Sequence, residues 1–83
     1  MKIKVLYFAS IKDKLGEESE YFEVEDGTTL EFLLNQIKSK NNNIAKLLES
    51  RSFLFAVNQE VANLDAILKP GDEIAILPPL SGG

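Results

Sequence analysis

The chain has 83 residues, of which 45% are hydrophobic and 27% charged, so it can form one small globular domain and is not expected to be disordered. It contains neither cysteine nor histidine, which excludes disulfides, thiolate metal sites and the usual general base. The net charge of −4 argues against a nucleic-acid-binding surface, which has to be basic, and favours a basic partner. No apolar run approaches the length of a membrane span and the first residues contain no signal-peptide core, so a cytoplasmic location is expected.

The first predicted element is a strand that begins at Lys2. Polar and apolar residues alternate along it, which is typical of a half-buried strand. The residues expected to face the core are Ile3, Val5 and Tyr7. The opposite face carries Leu6 and Phe8 and changes from charged to apolar toward Phe8. Either an exposed apolar patch or a loop that covers Phe8 is therefore expected at this end of the sheet.

A second strand follows after a polar connection. Residues 9–18, with a turn expected at Gly16, predict a loop that includes one helical turn. The segment 20–25 alternates again, with Phe22 and Val24 expected to face inward. The two strands together predict an antiparallel hairpin with a long connection.

One long helix is predicted next. Thr28 and Glu31 have the spacing of a capping box, in which the threonine caps the first turn and the glutamate reaches back. An apolar stripe at helical spacing then requires a sheet to pack against. The residues of this stripe are Leu30, Leu33, Leu34 and Ile37. The asparagines at 41–43 are expected to end the helix in a left-handed conformation, and residues 44–50 predict a second, short helix.

The second half of the chain predicts two more strands. Residues 53–57 are apolar on both faces, as in a central strand. The residues assigned to its inner face are Phe53, Phe55 and Val57. A turn at residues 58–60 leaves Val61 exposed at its exit.

The last strand, residues 73–77, follows a tight turn at residues 69–72, where Pro presets φ and Gly supplies the positive φ after it. Its isoleucines are expected to point inward and Leu77 outward, and Pro78 ends the pairing because it has no N–H. The element order predicts an α+β fold of the β-grasp type, a mixed sheet of four to five strands with the long helix on one face. The first and last strands are expected to lie side by side and parallel.

The chain ends in a segment without reactive side chains. Residues 1–77 are predicted to form the β-grasp domain and residues 78–83 an extended tail. The one reactive group at the tip of this tail is the main-chain carboxylate of Gly83. A Pro78-Pro79 neck before Gly82 and Gly83 is typical of a carboxylate presented to another protein's active site, whereas a frayed terminus is the structural alternative.

Several segments of the chain carry a resemblance to a known family. These segments are Val5-Leu6-Tyr7-Phe8-Ala9, Gly16, Val57-Asn58-Gln59, Gly71-Asp72-Glu73-Ile74-Ala75 and Pro78-Pro79-Leu80-Ser81-Gly82-Gly83. In this order and over the whole length, the sequence resembles the ubiquitin-like sulfur carriers, and most closely the small subunit of molybdopterin synthase. The Pro-Pro-x-Ser/Thr-Gly-Gly ending is specific, although Leu80 stands where Val is more familiar, and aliphatic Ile76 and Leu77 stand where relatives carry aromatics.

The resemblance implies a carrier that is not an enzyme on its own. An adenylyltransferase of the ubiquitin-activating type would use ATP to adenylate the Gly83 carboxylate, which then becomes a thiocarboxylate; the carrier itself holds no cofactor and no metal. Its sulfur would go to cyclic pyranopterin monophosphate in the large synthase subunit, within a heterotetramer. The tail residues expected to enter that subunit are Pro78, Pro79, Leu80, Ser81 and Gly82. The residues expected to contact it are Phe8, Val61, Leu77 and Leu6.

Three other functions remain open at this stage. A carrier for thiamine thiazole synthesis has the same fold and ending, although the Pro-Pro neck argues against it. A ubiquitin-like modifier would instead be joined through Gly83 to lysines of other proteins. A plain interaction module would carry the tail incidentally, and removal of Gly82 and Gly83 would then change nothing measurable.

Overall fold

The computed structural model of the chain describes residues 1–50 and 53–78. This part of the chain contains five strands and three helices. They are β1 (Lys2–Tyr7), α1 (Ala9–Leu15), β2 (Ser19–Glu23), α2 (Leu30–Lys40), α3 (Asn42–Ser50), β3 (Leu54–Val57), β4 (Glu60–Val61) and β5 (Glu73–Leu77). None of these helices has the length and apolar character needed to cross a membrane.

The strands form one mixed sheet in the order β2-β1-β5-β3-β4. β1 pairs with β5 in parallel, whereas the β1–β2, β3–β5 and β3–β4 pairs are antiparallel. The inner face of the sheet packs against all three helices in a single core, with Ile3, Val5, Ile74 and Ile76 fully buried. The α+β, β-grasp prediction is confirmed, including the parallel contact between the first and last strands.

The inward-facing residues are largely those that the alternation predicts. Tyr7 and Val24 are buried, and the four residues of the α2 stripe are buried as well. Phe53 is buried, and three other residues predicted to face inward pack against the core while remaining partly exposed. These partly buried residues are Phe22, Phe55 and Val57.

The first connection is more helical than predicted. The seven-residue helix α1 replaces the expected single turn. Gly16 ends it with a φ of 75°, and its N–H donates to the Lys12 carbonyl at 2.8 Å. Ile11 is fully buried in the core. This burial stabilises a helix for which the polar sequence gives little local signal.

The start of α2 corrects the predicted capping box. Thr29 is the N-cap, because its Oγ accepts a hydrogen bond from the Phe32 N–H at 3.2 Å. The Thr28 hydroxyl instead donates to the Glu25 carbonyl at 2.7 Å. Two more N–H groups of the first turn, those of residues 30 and 31, donate to carbonyls of residues 66 and 64 at 2.9 Å. A distant loop therefore satisfies donors that the sequence pattern assigned to the cap.

The junction between α2 and α3 also differs from the prediction. Asn41 has an extended conformation, with φ −145°, and none of residues 41–43 has a positive φ. Its Oδ1 accepts hydrogen bonds from the N–H groups of Asn43 and Ile44 at 2.9 and 3.2 Å. The expected left-handed end of α2 is therefore wrong, because Asn41 caps the next helix, which begins at Asn42 and not at residue 44.

Replacement of Thr29 by Ala tests the position of the cap. The variant loses the acceptor for the Phe32 N–H, so we expect its free energy of unfolding to fall by about 1 kcal/mol. Thr28→Ala is the matched control, and its cost should stay below about 0.5 kcal/mol because its hydroxyl is exposed and caps no helix. Urea unfolding of both variants measures the difference. If Thr28→Ala lost more unfolding free energy than Thr29→Ala, Thr28 would be the N-cap, as the sequence pattern predicts.

Tyr7 gives the fold a pH dependence in the alkaline range. Its hydroxyl donates to Glu20 Oε1 at 2.8 Å, and Glu20 also pairs with Lys40. Burial, with the negative charge of Glu17 as a lesser cause, raises the pKa of Tyr7 from 10.0 to about 12. Because the folded-state pKa lies above the unfolded one, the resulting stabilisation is complete below pH 10 and is lost as the pH rises toward 12.

Comparison of wild type with Tyr7→Phe isolates this effect. Between pH 8 and pH 11 we expect wild type to lose up to about 1 kcal/mol of unfolding free energy relative to the variant, since only wild type can ionise this side chain on unfolding. Urea unfolding at the two pH values is the measurement. An equal loss in both proteins would show that Tyr7 ionises as readily in the folded state as in the unfolded one.

Candidate functional site

Among the described residues, one face of the sheet carries no helix, and we call it the outer face. Since side chains alternate along a strand, burial of Ile74 and Ile76 in the core places Ala75 and Leu77 on the outer face. Directly paired residues of neighbouring strands share a face. The register therefore extends the outer face across four strands in a row that consists of Leu6, Ala75, Ala56 and Val61.

A second apolar row lies at the end of the sheet where β5 finishes. Leu77 pairs with Leu54 of β3. On the other side of β5, Tyr7 of β1 pairs with Ile76. Because the two strands are parallel, Phe8, the residue after Tyr7, lies at the level of Leu77. We call the residues of both rows the apolar patch. Its members are Leu6, Phe8, Leu54, Ala56, Val61, Ala75 and Leu77.

The apolar patch includes the four residues that the sequence assigned to partner contact. Phe8 is 41% exposed and Val61 70% exposed, whereas Leu6 and Leu77 are partly buried by their neighbours. Because Phe8 is exposed, the first of the two expectations for this end of the sheet, an exposed apolar patch, is confirmed, and the expected alternative of a covering loop is wrong. Contiguous apolar residues on a small monomer are typical of a protein-binding surface.

The sequence reasoning missed the remaining members of the patch. Leu54 follows from alternation once Phe53 and Phe55 are assigned inward, so the signal was present in the sequence. Ala56 and Ala75 are small, and only the pairing register shows that they connect Leu6 with Val61. These alanines make the four predicted residues parts of one surface.

The outer face becomes charged toward the opposite end of the sheet. Lys2 and Lys4 approach the ring of Tyr21, with 5.5 and 6.0 Å between each ammonium nitrogen and the ring centroid. Glu23 pairs opposite Lys2, and Glu73 pairs opposite Lys4. The apolar patch is thus bordered by a polar rim on this side, the arrangement of many protein interfaces.

The Val61 edge of the patch is held by two linked turns. Asn58 and Gln59 have φ values of 51° and 72° and connect β3 to β4 in a two-residue hairpin. Asn58 Nδ2 donates to Asp72 Oδ1 at 2.8 Å, and Asn58 Oδ1 accepts from the Glu73 N–H at 3.0 Å. The second carboxylate oxygen of Asp72 accepts from the Lys69 N–H at 2.8 Å, which closes the other turn. The hairpin that carries Val61 is therefore fixed to the start of β5.

β5 leads directly into the predicted tail. Pro78, the last described residue, is partly buried and follows Leu77 at the edge of the apolar patch. The five tail residues predicted to enter a partner or to react lie outside the described residues; they are Pro79, Leu80, Ser81, Gly82 and Gly83. Within residues 1–50 and 53–78, no three or more acidic side chains are grouped so that they could hold a metal ion.

Comparison with known proteins assigns a family. The ThiS family matches residues 5–83. The molybdopterin synthase sulfur carrier subunit of Chlamydomonas reinhardtii is 42% identical, and the match covers 100% of both chains. The subunit of the same name from Escherichia coli is 36% identical over 98% of this chain and 99% of its own. Small archaeal modifier protein 3 of Haloferax volcanii is 28% identical, with both chains covered completely.

Solved structures share the fold along the whole chain. The modifier protein SAMP1 from Haloferax volcanii superposes with a TM-score of 0.88 at 21% identity and full coverage of both chains, which supports the fold. A chain in the complex of subunits 1 and 2 of the molybdopterin-converting factor from Helicobacter pylori gives a TM-score of 0.71 at 31% identity, again with full coverage. Since the family match spans nearly every residue and relatives above 30% identity cover the full length, the chain belongs to the ThiS family, with molybdopterin synthase sulfur carrier subunits among its relatives.

Proposed function

We propose that this protein is the sulfur carrier subunit of a molybdopterin synthase, with the carboxylate of Gly83 as the group that carries sulfur. The observation behind this proposal is the position of the apolar patch, which surrounds the point where β5 passes into the Pro78–Gly83 tail. A docking surface at the base of the tail lets a partner bind the domain and receive the tail at the same time. The family match, which runs to residue 83, supports the same assignment.

Activation of Gly83 requires a separate enzyme and ATP. The carboxylate oxygen attacks the α-phosphate of ATP and displaces pyrophosphate, which gives an acyl-adenylate. A sulfur donor then displaces AMP from the acyl carbon and leaves a thiocarboxylate. The adenylate is needed because a free carboxylate has no adequate leaving group. In this scheme an adenylyltransferase of the ubiquitin-activating type binds the ATP, and the carrier binds no cofactor.

The composition of the tail suits entry into a narrow active site. Six extended residues from Pro78 to Gly83 reach at most about 20 Å, at roughly 3.3–3.6 Å per residue. Gly82 and Gly83 add no side-chain width near the reacting carbon. Fixing each backbone residue costs about 1–2 kcal/mol, and the two prolines lower that cost because their φ angles are already restricted.

The apolar patch gives the large subunit a surface to bind. Large apolar and aromatic residues are favoured anchors of an interface, and Phe8, Leu77 and Val61 are residues of this kind. The Helicobacter pylori neighbour, a complex of subunits 1 and 2, supports a partner of this kind. Bound in this way, the carrier delivers its sulfur to cyclic pyranopterin monophosphate inside the large subunit, in the heterotetramer expected for this synthase.

A protein modifier is the second candidate. The full-length match to an archaeal modifier protein favours it, because the same activated Gly83 can acylate a lysine amine of another protein. A carrier for another pathway, such as thiamine synthesis, uses the same chemistry with a different acceptor. The three candidates therefore differ in what accepts the acyl group or its sulfur.

Intact mass spectrometry tests the carrier chemistry. After incubation with ATP, an activating enzyme and a sulfur source, we expect the mass change of one oxygen replaced by sulfur. Fragmentation should place that change at Gly83, and a chain that lacks Gly82 and Gly83 should stay unmodified. Transfer of sulfur to the pterin precursor upon addition of the large subunit separates this pathway from thiamine synthesis. Tail-dependent conjugates on gels without any thiocarboxylate would instead assign a modifier.

Charge substitutions in the apolar patch test the docking surface. We expect Phe8→Glu and Leu77→Glu to weaken binding to the large subunit by about 30-fold or more, because each places a carboxylate in an apolar contact. Leu64→Glu is the matched control, since Leu64 is similarly exposed, at 44%, and lies in the loop that contacts the first turn of α2. Calorimetric titration measures the affinity. A collapsed thermal transition in the patch variants would place the two residues in the core.

A further inference from the structure

β2 has one side that faces no other strand in the described part of the chain. The N-terminal amine of Met1 donates to the Val24 carbonyl at 2.6 Å, and the Val24 N–H donates to the Met1 carbonyl at 2.9 Å. At the other end of the ladder, the Tyr7 N–H donates to the Glu18 carbonyl at 2.8 Å. Since hydrogen-bonded and non-hydrogen-bonded pairs alternate in an antiparallel ladder, the main-chain groups of the intervening residues point away from β1. These residues are Ser19, Tyr21 and Glu23. They leave a row of free donors and acceptors at the edge of the sheet.

A groove lies where this edge meets α2. It has a volume of about 810 Å³ and is lined by residues 23–29 together with Phe32 and Gln36. Phe32 is 54% exposed, although it is one of the largest apolar side chains of the protein. The groove therefore offers an apolar surface at the Glu23 end of the row of free main-chain groups of β2.

The same edge is strongly acidic. Six of the ten residues 17–26 are acidic and none is basic; they are Glu17, Glu18, Glu20, Glu23, Glu25 and Asp26. Three of these carboxylates have cationic partners, which are Lys12, Lys40 and the N-terminal amine. Glu25 and Asp26, which line the groove, form no ion pair with any described residue. The border of the groove, where both residues are exposed, therefore carries negative charge that no described residue compensates.

We propose that β2 and this groove bind an extended segment of another protein in which apolar and basic side chains alternate. The segment adds to the sheet as a further strand, through the main-chain groups of Tyr21 and Glu23. Its apolar side chains enter the groove beside Phe32. Its basic side chains, on the opposite face of the added strand, lie along Glu23 and Glu25.

The charge of the edge selects against a second copy of this chain as the occupant. Pairing of two β2 edges would place two acidic segments side by side, and like charges on adjacent strands are destabilising. A basic segment reverses the sign of that interaction. The edge lies on the opposite side of the sheet from Val61 of β4, although Leu6 of the apolar patch pairs with Ser19 of β2. The main-chain groups of β2 that the segment uses are not part of the apolar patch, so this inference does not rest on the proposed carrier function.

Titration with a synthetic peptide tests this site in the full chain. The probe is a blocked peptide of about eight residues that alternates valine and lysine, a length that covers β2. Nuclear magnetic resonance of the labelled protein should show shifts at Tyr21, Glu23, Gly27 and Phe32, and slower hydrogen exchange of the Tyr21 and Glu23 amides. A probe with N-methyl groups on the edge that faces β2 should bind at least about fivefold more weakly, because it cannot form the added ladder.

A matched pair of variants tests the charge requirement. The double variant Glu25→Gln, Asp26→Asn should bind the valine–lysine peptide about fivefold more weakly. The control double variant Asp13→Asn, Glu49→Gln changes the net charge equally, at exposed sites on α1 and α3, and should leave binding of the peptide unchanged. Equal weakening in both double variants would overturn the site in favour of general electrostatic attraction. Shifts confined to the apolar patch, or self-association through β2 at high protein concentration, would overturn it as well.

Discussion

The parallel pairing of β1 with β5 is the contact on which the rest of the structure depends. Two parallel strands need a crossover between them, and everything from Phe8 to Asp72 serves as that crossover. Because parallel strands end at the same edge of a sheet, the pairing brings Phe8 to the level of Leu77. The residues that leave β1 and the residues that lead into the tail therefore form one surface, although they are about as far apart in sequence as this chain allows.

Central burial of β5 makes the start of the tail rigid. The strand has a neighbour on each side, and Ile74 and Ile76 anchor it to the core. The link between Asn58 and Asp72 fixes its first residue to the β3–β4 hairpin. A tail that begins on such a strand starts from a defined position and direction. A partner that binds the tail then does not have to fix its base as well, and less conformational entropy is lost on binding.

The sequence predicted those features that depend on local periodicity. The α2 stripe, the alternation in β1 and the Pro70-Gly71 turn were all identified from neighbouring residues. Features that depend on contacts between residues distant in sequence could not be predicted in this way. The helix α1 is anchored by the fully buried side chain of Ile11. The N-cap of α2 is Thr29 and not Thr28, and a loop at residues 64–66 supplies carbonyls to the first turn of this helix.

The same limit applied to the candidate surface. Phe8 and Leu77 could be placed outward by counting residues along each strand, and Val61 by its position at the exit of a turn. That they share one patch depends on register, because Ala56 and Ala75 connect the rows and periodicity alone does not show which strand neighbours they pair with. The acidic edge of β2 was visible as a run of carboxylates, but its free main-chain groups become apparent only once β2 is known to be at the border of the sheet.

Charge and apolar surface together explain how a small protein can expose a binding patch. An exposed patch with Phe8 and Val61 at its margins would favour self-association, since apolar contact is not selective. A net charge of −4, with six carboxylates concentrated in residues 17–26, opposes contact between copies of the chain. A basic or neutral partner is not subject to that repulsion. The same acidic residues therefore disfavour the identical chain and leave the patch accessible to a different one, which is specificity through repulsion of the wrong partner.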